Sequence, residues 1–99
     1  MREVEIPLTS RSSAAIESAI ERAIVDCGLH VTLRATLTKC PGCIHWHIKH
    51  GNEPGTLEIT FWPPERRAWF TIQEGRKGKW IDERLRAIMR ALRQRHGKR

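Results

Sequence analysis

The stretch LHVTLRATLTKCPGCIHWHI, residues 29–48, decides how the rest of this chain is read. Apolar and polar residues alternate on both sides of Pro41-Gly42, and a period of two marks a half-buried strand. Leu29, Val31, Leu33, Ala35 and Leu37 share one face, with His30, Thr32, Arg34, Thr36 and Thr38 on the other. After the turn, Ile44, Trp46 and Ile48 lie opposite in sense to Cys43, His45 and His47. Pro followed by Gly suits the two central positions of a type II turn. The segment therefore reads as a β-hairpin with Cys40 across from Cys43. In that register Leu37 faces Trp46 and Ala35 faces Ile48 on the apolar side, while Thr38 faces His45 and Thr36 faces His47 on the polar side. Both faces match at once, the condition a strand register must satisfy.

Working outward, Val4, Ile6 and Leu8 form a short first strand, which Pro7 confines to an edge or a strand end because it lacks a ladder donor. The polar cluster Thr9–Ser13 turns the chain and caps a helix. Ile16, Ile20, Ala23, Ile24 and Cys27 then fall on one helical stripe, and Gly28 closes that helix. Past the hairpin, Leu57, Ile59 and Phe61 point inward from one strand and Ala68, Phe70 and Ile72 from another. A final helix over about 80–95 buries Ile81, Leu85, Ile88, Met89 and Leu92. The expected fold is a single α+β domain over residues 1–96, in the order β-α-β-β-β-β-α, with residues 97–99 as a frayed basic end. One face of its antiparallel sheet is apolar, and both helices pack there because nothing else can cover it.

This order of elements resembles that of the TATA-box-binding-protein-like fold over nearly the full chain. The resemblance lies in the succession of elements and in no sequence motif. It implies an architecture and assigns no residue a DNA contact.

The chain carries a formal net charge of +7. Residues 1–75 sum to −1 and residues 76–99 to +8, so the whole excess sits in the last quarter. Arg76, Lys77 and Lys79 precede the last helix, and Arg86, Arg90 and Arg93 form a stripe on its polar face. Such a segment could neutralise phosphates on nucleic acid or another polyanion, and polyanion binding by a non-enzymatic protein is the leading expectation. An Arg-rich solvated helix is the competing structural explanation. The sequence has no secretory leader and no apolar run long enough to span a bilayer, so a cytoplasmic protein is expected.

Cys40-Pro-Gly-Cys43 followed by His45 offers three soft ligands near one hairpin tip. That suggests zinc, with a fourth ligand to come from water, from His47 after distortion or from a second subunit. The same thiols could instead form a disulfide or remain reduced around a tight turn. A helix-opening redox motif does not fit, since the pair joins two strands. Cys27 reads as a structural thiol of the first helix. Trp62 and Trp69 point to the outer sheet face as diagonal neighbours. They offer a surface for a protein partner, including a second copy of the chain. His47 and Glu58 meet across strands in one permitted register of the 51–55 turn, and Lys49 meets Glu58 in the other. No Ser-His-Asp pattern, phosphate-binding glycine loop, dinucleotide fingerprint or HExxH is present.

Overall fold

The computed structural model describes residues 1–97 and the side chains of residues 1–93. The elements run β1 (Arg2–Ile6), α1 (Ser13–Asp26), β2 (His30–Ala35), β3 (Ile44–Lys49), β4 (Leu57–Trp62), β5 (Arg67–Ile72) and α2 (Ile81–Gly97). All pairings are antiparallel, and the strands lie in the order β1-β5-β4-β3-β2. The meander β2 to β5 is local in sequence. Only β1 must travel to the far edge, where Pro7 follows its last residue. The expected order of elements and the α+β class are thus the observed ones. The expected fraying at Lys98 and Arg99 falls outside the described residues.

Local chemistry explains the ends of α1. The Ser12 hydroxyl accepts the Ala15 N–H at 3.1 Å, satisfying one of the open donors of the first turn. At the other end Gly28 takes φ +77°, which lets its N–H reach Val25 O and the Leu29 N–H reach Ile24 O. That pair of bonds is a Schellman motif. The Arg84 guanidinium of α2 adds a bond to Cys27 O at 2.6 Å, tying the two helices together.

The inner face of the sheet is read directly from its rows. Val4, Phe70, Ile59 and Trp46 pair side by side across β1, β5, β4 and β3, as do Ile6, Ala68, Phe61 and Ile44. Over these rows lie Ile16, Ile20 and Ile24 of α1 and Ile81, Leu85, Ile88 and Leu92 of α2, all buried. Trp46, Phe61 and Phe70 are among the largest fully enclosed side chains. Enclosing a ring of this size is worth about 2–3 kcal/mol relative to leaving it in water. No helix among the described residues is long and apolar enough to cross a membrane.

The hairpin register differs from the one the alternation predicts. Ala35 pairs with His45, Arg34 with Trp46 and Leu33 with His47, and a bulge between Val31 and Leu33 shifts the phase. The bulge turns Arg34 to the helix side and leaves Leu33 exposed at the sheet edge. The cause is polar. Arg34 reaches two carboxylates of α1, bonding Glu21 at 3.0 Å and meeting Glu17 in a close ion pair. Glu21 also accepts the Trp46 indole N–H at 3.1 Å. Cys40 and Cys43 consequently do not end the two strands. Residues 36–43 form a long loop, and its Leu37 and Lys39 line a cleft on the outer sheet face together with His45, Thr60 and Trp69.

Candidate metal centre

Two adjacent strands of the outer face supply the site. His45 and His47 alternate on β3, so both rings emerge on the same side. The β3–β4 register places His45 beside Thr60 and His47 beside Glu58. Glycines at both ends of the 51–55 turn fix that register. Gly51 has φ +55° and Gly55 φ +107°, and the Glu53 N–H closes the turn on His50 O. Of the two registers the sequence permits, this one brings His47 to Glu58.

His45 Nε2 lies 3.3 Å from Glu58 Oε1, and His47 Nε2 lies 3.9 Å from Glu58 Oε2. One ligand atom from each of the three residues falls within 4.8 Å of the others. Nitrogen and oxygen ligands at about 2.1 Å around a tetrahedral ion stand about 3.4 Å apart. The contact from His45 is close to that spacing and the one from His47, which reaches the other carboxylate oxygen, is longer, so a bound ion would have to draw the three groups together from within 4.8 Å. The two histidine rings already meet edge to face at 5.1 Å. Thr60 Oγ1 lies 2.8 Å from His45 Nδ1. When it accepts from Nδ1–H it fixes the tautomer whose Nε2 lone pair faces Glu58, as outer partners of metal-bound histidines do.

Burial sets the electrostatics. Glu58 and His45 are 5% and 6% exposed, whereas His47 is only half-buried. Loss of water is the main reason the His45 ring is held below the usual imidazole range; Glu58 pulls the other way, and His47 and Lys39 add to the lowering. Arg76 NH1 stands 3.6 Å from Glu58 Oε2 and partly balances it. His47, Glu58, Gln73, Gly75 and Arg76 line an open cleft of about 450 Å³, and His45, Glu58 and Thr60 reach a second, smaller cleft of about 200 Å³ under the 36–43 loop.

The zinc ligands expected at Cys40, Cys43 and His45 are not brought together as one metal-competent group. Among the described residues the metal-competent group is His45, His47 and Glu58, with neither thiol in it. Cys40 and Cys43 are buried, and their Sγ atoms are 2.7 Å apart. Two thiolates sharing a tetrahedral zinc at about 2.3 Å would stand about 3.8 Å apart. Burial, with the facing Cys43 thiol, pushes the Cys40 thiol up to about 11.

The predicted basic patch is divided. Arg76 turns to Glu58 and Lys77 pairs with Glu74 at 3.0 Å, so these two are engaged on the sheet side. Lys79, Arg86, Arg90 and Arg93 are exposed, and none pairs with a carboxylate among the described residues. The first turn of α2 carries Asp82 and Glu83, which already complement the positive end of its dipole and disfavour an anion there. The expected tryptophan surface is mostly covered. Trp69 is 8% exposed beneath the Arg67 guanidinium, which lies 4.5 Å from the ring centroid. Trp62 is half-buried and donates its indole N–H to Pro41 O at 2.9 Å.

His47, Glu58 and Thr60 are the residues of this group that the expected ligand set left out, although a His47–Glu58 pairing was one of the two permitted registers. The usable signal was the His-x-His alternation followed by an acidic residue on the next strand. Comparison with protein-family models, curated proteins and solved structures finds no match to this chain.

Proposed function

We propose that this protein binds a divalent transition-metal ion of the zinc type through His45, His47 and Glu58. The observation that carries the reading is the convergence of three nitrogen and oxygen ligand atoms within 4.8 Å on the outer sheet face. Two histidines and one carboxylate form a donor set suited to zinc or to non-haem iron. With three protein ligands, a bound ion would keep a further position for water or a small ligand from the cleft that His47, Glu58 and Arg76 line. Structural zinc sites use four protein ligands, whereas sites that act on a bound molecule keep a position open. The ion and Arg76 together suit a small carboxylate or phosphate in that cleft. Arg76 also opposes the metal's own charge. In a calorimetric zinc titration Arg76→Ala should bind several-fold more tightly than the wild type and His47→Ala at least 100-fold more weakly, since even outer-partner losses cost about 10–100-fold. Unchanged affinity in both variants would remove the proposal.

A second reading rests on a different observation: Lys79, just before α2, and Arg86, Arg90 and Arg93 along it are exposed and meet no carboxylate among the described residues. It is polyanion binding, with nucleic acid as the natural partner. Mixed-sequence DNA and RNA should bind at low salt, with log affinity falling linearly against log salt. No binding at low ionic strength would end this reading.

A further inference from the structure

We infer that Cys40 and Cys43 are a reversible dithiol–disulfide pair that exchanges with a low-molecular-weight disulfide such as glutathione disulfide. The inference stands apart from the metal centre, since neither thiol belongs to the His45–His47–Glu58 group.

The turn between the two cysteines sets the geometry. Cys43 N–H bonds Cys40 O at 3.0 Å, and Gly42 occupies the third position with φ +84°. A four-residue turn closed in this way holds its end Cα atoms within about 7 Å, and a disulfide spans about 4.4–6.8 Å. The turn thus keeps the two residues within the range a disulfide can span, and their sulfurs already face each other at 2.7 Å. The loop is also fixed in place before any bond forms. Trp62 donates to Pro41 O, and the Leu37 N–H lies 3.4 Å from Cys43 Sγ. Holding both reactants in one geometry converts a bimolecular step into a fast internal one.

The reaction balances without another reagent. One cysteine thiolate attacks a sulfur of glutathione disulfide, forming a mixed disulfide and expelling one glutathione thiolate. The second cysteine thiolate then attacks the protein sulfur of that mixed disulfide and expels the other. The protein loses two electrons and two protons, and glutathione disulfide becomes two glutathione thiols. Both sulfurs are buried, which favours a small disulfide over a folded protein partner and makes the exchange depend on opening of the loop.

The full chain, kept in chelator to exclude metal, would be equilibrated anaerobically in glutathione buffers of graded ratio. It would then be acid-quenched, denatured and alkylated. The chain contains three cysteines. Alkylatable thiols should fall from three to one as the buffer becomes oxidising, with Cys27 the one that remains and peptide mapping locating a Cys40–Cys43 crosslink. This readout needs no variant. Cys40→Ser should lose the crosslink and stop at a glutathione adduct. Cysteines that stay fully reduced across the series, or that end only as glutathione adducts in the wild type, would overturn the inference.

Discussion

Cys40 shows how one buried side chain couples to pH. Its thiol titrates near 11 in the fold against an ordinary value of 9.0, chiefly because burial disfavours the thiolate. A folded value raised in this way contributes stability that is complete below pH 9 and is lost as pH rises through 11. The chain has no tyrosine, so no phenol ionises in that window. In reductant, the denaturant midpoint of the wild type should fall more steeply between pH 9 and 11 than that of Cys40→Ser. Parallel slopes would contradict the assignment. At this scale the sequence exposed part of the site. His45 was legible as a ligand because it sits on the polar phase of a strand. Glu58 was not, because two turn registers gave it different neighbours, and only backbone geometry at Gly51 and Gly55 selects His47. The thiols were legible as a pair, but their separation from His45 depends on how the loop folds.

At the scale of elements, one contact holds the approach to α2 against the 51–55 turn. Trp80 donates its indole N–H to Pro54 O at 2.8 Å, and Gly78 lies directly between the two segments. A Cβ at Gly78 would press on Pro54 O and sit 2.9 Å from Trp80 Nε1. Gly78→Ala should therefore destabilise the fold by about 1–3 kcal/mol, as overpacking does, read as a lower urea midpoint with an unchanged slope. Gly75→Ala, with open space around its Cβ, is the control. Helix stripes, caps and the inward residues of β4 and β5 were all legible, because each follows from a local period and a local cap. The β2–β3 register was not. Arg34 there meets Glu17 and Glu21, residues of another element, which period-two counting does not include. The bulge reverses the face of Leu33 and Ala35.

Across the whole molecule, the sheet divides the chemistry. Its inner face joins two helices in an apolar core. Its outer face is partly covered by the 36–43 loop and the Gln73–Lys77 segment, so histidine, glutamate and threonine are buried there beside two clefts. The positive charge of residues 76–93 is divided rather than gathered into one surface: Arg76 meets Glu58 on the outer face, Lys77 pairs with Glu74, and the Arg86–Arg90–Arg93 stripe is exposed on α2. Composition could locate that charge along the chain but not its division in space. The central claim is that the metal ligands are His45, His47 and Glu58 rather than the cysteine pair. It is tested most directly by measuring zinc retained after exhaustive dialysis by the wild type, by Cys40→Ser/Cys43→Ser and by His47→Ala. One equivalent is expected in the first two proteins and none in the third. Zinc that vanishes with the thiols and survives in His47→Ala, or that is absent from all three, would contradict it.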